Sequence, residues 1–204
     1  MHPYLRPLVA GVFLTGDLAR DVPAFLAHHG YPKTAAHCAA IASEARRVAA
    51  IMGANSTQAA HAGWLHDVSA IFPAAERVVV AQALGVPVLA EEAAFPMIVH
   101  QKLSAVLATD VFGVDDPAVV SAVGCHTTLK ADATVLDKVV FVADKLAWDQ
   151  PGIAPYHDEL ARALHQSLDA ATLVYLRYIW ERRDALPGLH PWLAEAYRQL
   201  SAVV

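Results

Sequence analysis

Apolar and small residues recur at three- and four-residue spacing along nearly the whole chain, interrupted at Pro and Gly. Residues 3–10 read as a short helix. Thr15-Gly16-Asp17 is a start signal for a helix through His29, and Gly30-Tyr31-Pro32 breaks it. Residues 33–52 form one long helix. Its series at 37, 40, 41, 44, 48 and 51 is apolar or small except for His37 and Glu44, so both polar groups are expected on the inward face. Gly53-Ala54-Asn55-Ser56 ends that helix and caps the next, which carries His66. Pro73 opens a helix through about Leu84. Gly85 to Pro96, broken by Pro87 and Pro96, reads as loop with one helical turn.

His100 begins a helix through Val111, and Asp115-Asp116-Pro117 starts another that ends near His126. Residues 127–133 read as a polar connector, and 134–149 as a strongly apolar helix bearing Asp144. Pro151, Gly152 and Pro155 break the chain, 156–184 supply one or two helices, and Pro191 starts the last. There is no run of alternating strands bounded by hairpin turns and no internal repeat. The expected fold is all-α, a compact helical bundle over 1–204 in one domain.

Composition supports a large core: 56% of the 204 residues are hydrophobic and 17% charged, which argues against disorder. With a net charge of −5 and no Lys/Arg stripe, nucleic acid is not an expected partner. No apolar stretch reaches about 18 residues unbroken, so no membrane span is expected. Leu8 to Leu14 resembles a short signal core, but Asp17, Arg20 and Asp21 follow it, and no targeting segment is read there. Cys38 and Cys125 cannot build a disulfide framework. They read as small buried hydrophobes, which fits a cytoplasmic, reducing compartment.

The chemistry lies in the order His37, His66-Asp67, His100, His126, Asp144. Imidazole nitrogen and carboxylate oxygen together suit iron, manganese, zinc or cobalt. His66 and Asp67 are consecutive and point about 100° apart on a helix. Both reach one ion only at a helix end, or with other helices approaching from the sides, and the small Ala59, Ala62 and Gly63 permit such an approach. His37 and Asp144 would complete the protein ligands of one ion. Asp67 has a second oxygen and could bridge to another ion held by His100 and His126. His66 and Asp67 are thus the expected catalytic pair, holding metal-bound water acidic enough to yield a hydroxide nucleophile near neutral pH. Asp144, between Val142-Ala143 and Leu146-Ala147, needs a cation, because an unpaired buried charge is costly. The remaining histidines read as surface or packing residues.

His37, His66-Asp67 and Asp144 match the signature of the HD-domain metal-dependent phosphohydrolases. His126-Thr127-Thr128, the run Leu136 to Asp144, the His37–His66 spacing and the intervening His100 helix resemble the YqeK-type branch of that superfamily. The resemblance covers about residues 33–150, with 151–204 as C-terminal helices packed on this core. It implies an all-α protein that carries iron, with manganese or cobalt as alternatives, in one or two sites per chain. It implies symmetrical cleavage of diadenosine tetraphosphate into two ADP. His37, His66, Asp67 and Asp144 would hold the first metal, and His100 and His126 a second metal or a phosphate.

The chain departs from that pattern where cations would face a polyphosphate. Ala70 stands for a Lys, Gln150 for an Arg, and Thr34, beside Lys33, for another Arg. The connector Leu129-Lys130-Ala131-Asp132 lacks the family's Gly. Lys33, Lys130 and Lys145 are the candidate substitutes. Trp148, four residues after Asp144, would share its helical face and either stack on a nucleobase or pack in the core. The alternatives to a dinucleoside polyphosphate are a mononucleotide, another small phosphoester, or nucleotide binding without turnover. A homodimer is compatible with the sequence.

Overall fold

The computed structural model describes residues 1–148 and 150–204. After a 3-10 turn at Pro3–Val9, helix α1 spans Leu18–His28, α2 Pro32–Met52 and α3 Ser56–Leu65. Short 3-10 turns at Val68–Ile71 and Ala74–Glu76 lead into α4 (Arg77–Ala83) and α5 (Ala90–Ala94). A further turn at Pro96–Val99 precedes α6 (His100–Asp110), α7 (Pro117–Cys125) and α8 (Val135–Leu146). Helices α9 (His157–Leu164), α10 (Leu168–Glu181) and α11 (Pro191–Ser201) complete the chain. No strand occurs among the described residues, and none of their helices is long and apolar enough to cross a membrane.

The helix starts follow local chemistry. Asp17, Asn55, Asp116 and Ser167 each accept a backbone N–H in the first turn of the helix they precede, satisfying donors that have no partner inside the helix. Thr134 and Asp137 cap α8 reciprocally, at 3.1 and 2.9 Å. Asp116 also accepts from Gln58 at 2.7 Å, which fixes the start of α7 against α3. Helix α2 ends at Gly53 in the left-handed region, φ +65°.

Three details differ from the sequence pattern. The inward stripe of α2 is Ala35, Cys38, Ile41, Ala42, Ala45, Val48 and Ala49. Ala40 and Ile51 are exposed, and Glu44 pairs with Arg47 at the surface rather than facing the core. In a helix so rich in Ala, small residues occupy several faces and the apolar series does not select one. The helix expected over 134–149 ends at Leu146, so Trp148 is not on the Asp144 face, and position 149 lies outside the described residues. The connector after α7 is partly core: Leu129 is fully buried although it adopts φ +59°, a conformation that costs a branched residue free energy where Gly would pass freely.

The centre of the bundle is the contact of α2 with α3. A Cβ on Gly63 would lie 2.6 Å from Ala42 Cα and 2.8 Å from Ala42 N. The two backbones therefore touch, which only Gly allows at this point. Helix α8 closes the other side and buries Val139, Val140, Phe141, Val142 and Ala143. The C-terminal helices add an aromatic layer in which Tyr175 meets Phe141 and Tyr156 edge-on, at 5.5 and 4.9 Å. A buried polar cross-link ties this part to the core. Glu92 Oε2 accepts from Lys102 Nζ at 2.7 Å and the Leu89 amide at 2.8 Å, and Oε1 accepts from His190 Nε2 at 3.1 Å.

Two outcomes follow from this packing. Gly63→Ala should destabilise the chain by about 1–3 kcal/mol in chemical denaturation, because the obstruction is backbone and cannot rotate away. The Glu92 carboxyl is raised by burial, but His190, the Leu89 amide and Lys102 outweigh this and hold it at about 2 against an ordinary 4.5. Its stabilisation is therefore complete above about pH 4.5 and is lost as pH falls towards 2. Glu92→Gln should cost about 1.5–3 kcal/mol at neutral pH, by removing the charge-assisted bonds from half-buried Lys102 and from His190, and should flatten the acid limb of a stability–pH curve.

Candidate metal centre

Six side chains from five segments meet at one point. Helix α2 carries His37 in its second turn. His66 and Asp67 follow the end of α3, α6 begins at His100, His126 follows the end of α7, and α8 carries Asp144 in its last turn. Asp67 stands between two groups. Its Oδ2 is 3.6 Å from His66 Nε2, while Oδ1 is 3.3 Å from His100 Nε2 and 3.7 Å from His126 Nε2. Asp144 Oδ1 lies 3.6 Å from His37 Nε2 and 3.8 Å from His66 Nε2. Two sets of ligand atoms result, His37-His66-Asp67 and Asp67-His100-His126, each compact enough to hold one ion, with Asp67 common to both.

The same local device aims three of the imidazoles. Nδ1 of His66, His100 and His126 lies 2.8, 2.6 and 2.8 Å from the backbone carbonyl three residues earlier, of Gly63, Met97 and Val123. A carbonyl only accepts, so Nδ1 carries the hydrogen and Nε2 presents a lone pair to the centre.

The consequence tests whether a metal fits. His100 Nε2 and His126 Nε2 are 3.0 Å apart, and His66 Nε2 is buried with no hydrogen-bond partner among the described residues. Lone pairs this close repel unless a cation lies between them. Burial, with neighbouring imidazoles, lowers the His126 pKa to about 3, and burial lowers that of His100, so both are neutral at physiological pH. Burial raises the Asp67 carboxyl, but His66, His100 and His126 outweigh it and hold the group at about 2. Neutral imidazoles and ionised carboxylates are the forms that bind a divalent metal, and the donor set fits one.

Around the ligands, Lys145 Nζ donates to Asp144 Oδ2 at 2.5 Å and to the His126 carbonyl at 3.1 Å, above the Phe141 and Tyr175 rings. Burial raises the Asp144 carboxyl, but Lys145, the His37 hydrogen bond and the nearby imidazoles hold it well below its ordinary value. The Thr127 hydroxyl is 3.0 Å from His100 Nε2, and its amide donates to Gln101. A cleft of about 510 Å³ opens on the His37–Asp67 side, lined also by Lys33, Thr34, Ala40, Ala147, Trp148 and Gln150.

All six residues singled out as ligands thus converge, and Lys33 and Trp148 face the cleft. Trp148 does so from the segment after α8, 39% exposed, with its ring edge-on to Tyr156 at 6.2 Å. The other two lysines do not face it. Lys145 is buried against Asp144, and Lys130 binds Ser121 Oγ at 2.6 Å and lies 3.6 Å from Asp137, away from the centre. Sequence spacing missed Arg77. Its Nε and Nη1 donate to the Phe72 and Met97 carbonyls, and its charge is felt by both Asp67 and His100.

Residues 34–149, which contain all six ligand positions, match the family described as the HD domain. The chain belongs to the HD domain family. An uncharacterized protein in the pepC 5′ region of Lactococcus lactis subsp. cremoris is 43% identical over 146 residues, covering 72% of this chain and 74% of that one. The crystal structure of a predicted HD superfamily hydrolase involved in NAD metabolism from Clostridium acetobutylicum has the same fold. It matches with a TM-score of 0.81 at 24% identity, covering 89% of this chain and 95% of that one. The HD dipeptide that gives the family its name is His66-Asp67 here, and Asp67 is the carboxylate common to both ligand sets.

Removing that carboxylate should dissolve both sets. Asp67→Ala should leave the protein folded and without retained metal after dialysis, read by elemental analysis and circular dichroism. If Asp67 bridges two ions, the double variant His100→Ala, His126→Ala should retain the His37 side and lower the content from about two ions per chain to about one; unchanged content with weaker phosphate binding would make the pair phosphate contacts instead.

Proposed function

We propose that this HD-domain protein is a metal-dependent phosphohydrolase of the YqeK type. In this reading it cleaves a phosphoanhydride in a dinucleoside polyphosphate, splitting diadenosine tetraphosphate into two ADP. The observation that carries the reading is the carboxylate of Asp67 between two sets of imidazole lone pairs, beside an open cleft. The HD-domain match and the stretches His126-Thr127-Thr128 and Leu136 to Asp144 support it. The part in NAD metabolism described for the Clostridium protein agrees with nucleotide chemistry.

His37, His66, Asp67 and Asp144 would hold one ion, iron above all with manganese or cobalt as alternatives, and Asp67, His100 and His126 a second. Divalent ions there would supply an acidified water and neutralise charge on a phosphoryl oxygen. The protein's own part is orientation and charge. The Nδ1 anchors keep three imidazoles aimed with lone pairs inward, and Lys145 holds Asp144 ionised beside them. Lys33 meets phosphate charge in the cleft, and Trp148 offers a face to a base at its mouth.

One observation favours a second reading, a mononucleotide or other small phosphoester as substrate. Of the three lysines that could replace the family's cations, only Lys33 lines the cleft, and Gln150 stands there uncharged. Product analysis against a nucleotide panel, with iron, manganese and cobalt in turn, decides. The first reading expects two ADP from diadenosine tetraphosphate as the fastest reaction. Faster turnover of a mononucleotide would establish the second, and no turnover with any metal would leave a binding protein. Under the first reading Gln150→Arg should raise catalytic efficiency on the tetraphosphate about tenfold, the worth of one charge-assisted contact.

A further inference from the structure

Arg77 opens α4 and is already fixed in place by the protein. Its Nε donates to the Phe72 carbonyl at 3.0 Å and its Nη1 to the Met97 carbonyl at 2.9 Å. The Met97 oxygen is also the anchor of His100 Nδ1, at 2.6 Å. Guanidinium and imidazole therefore share one acceptor and lie side by side. A guanidinium has five N–H groups. Among the described residues those two carbonyls are its only hydrogen-bond partners, and no carboxylate comes within ion-pair distance of it. Burial lowers the Arg77 pKa and the Asp67 carboxylate opposes this; a guanidinium stays charged at neutral pH throughout.

A half-buried cation is thus held at the His100 side of the centre, with donors to spare and no anion of its own. Fixing it with two backbone carbonyls removes most of the side-chain entropy that binding would otherwise cost. We propose that Arg77 is an anion-binding residue of this centre, and that its free N–H groups take an oxygen of the substrate phosphate on the His100 side of Asp67. The inference rests on the phosphohydrolase reading for the identity of the anion. Lys33 would meet phosphate on the cleft side, so the two cations would flank the bridging carboxylate.

The test is calorimetric titration of the manganese-loaded chain with inorganic phosphate, with metal content measured on the same samples. Arg77→Gln should weaken phosphate binding about tenfold or more, the loss of one charge-assisted contact, with metal content unchanged. Arg77→Lys, which keeps the charge and loses the fork, should recover part of that affinity. Unchanged phosphate affinity in Arg77→Gln overturns the proposal. So does a parallel loss of metal in both variants, because Arg77 would then act by propping His100 through the Met97 carbonyl. Phosphate binding that depends on Arg77 in a protein that hydrolyses no nucleotide would uphold the anion site and sink the phosphohydrolase reading. Nucleotide hydrolysis with Arg77-independent phosphate binding would do the reverse.

Discussion

Two half-buried carboxylates, Asp67 and Asp144, stand ionised side by side where five segments of the bundle meet, and much of the architecture bears on that burden. An uncompensated charge in such surroundings costs several kcal/mol. Compensation comes from opposite sides: Lys145 on Asp144, and imidazoles around both. The close approach of α2 and α3 at Gly63 sets His37 within 3.6 Å of Asp144, with His66 facing the same oxygen. His100 and His126, kept neutral by burial, lend little charge, so the balance is left for a divalent cation to complete. Here the packing of the core and the chemistry of the site are one constraint.

The two sides of Asp67 are built differently. The His37 side faces a wide cleft with a mobile type of cation, Lys33, on a long flexible stem. The His100 side is tighter. His100 and His126 approach to 3.0 Å, Thr127 touches His100, and a planar guanidinium is pinned beside them. A substrate lying across the bridge would meet an adaptable contact on one side and a preorganised one on the other.

Much of this was legible in the residues. Asp17, Asn55, Asp116 and Pro191 mark helix starts because capping and proline effects act within one turn and need no tertiary context. The six ligands stood out because polar groups in apolar helices demand partners. What failed was of two kinds. The inward face of α2 is blurred by alanine, which buries or exposes at nearly equal cost, so the apolar series points Glu44 inward although it pairs with Arg47 outside. Proximity in sequence to Asp144 is also a poor guide: Trp148 reaches the cleft, but not from the Asp144 face of α8. Trp148 lies past the helix end, and Lys145 turns back onto its neighbour instead of into the cleft. Arg77 gave no signal, because its place is set by carbonyls of Phe72 and Met97, and Met97 is twenty residues away.

His66 and His126 both occupy the position immediately after the last residue of a helix, α3 and α7. Each ring binds a carbonyl of that final turn, so the C-terminal ends of two helices point at the same place. The aligned peptide dipoles make such an end equivalent to about half a negative charge. Together they give the centre an electric field that attracts a cation and that belongs to the backbone. Unlike a carboxylate it cannot be protonated, and no side-chain replacement removes it. An acidified protein, or one stripped of a ligand, would still carry that part of its preference for positive charge.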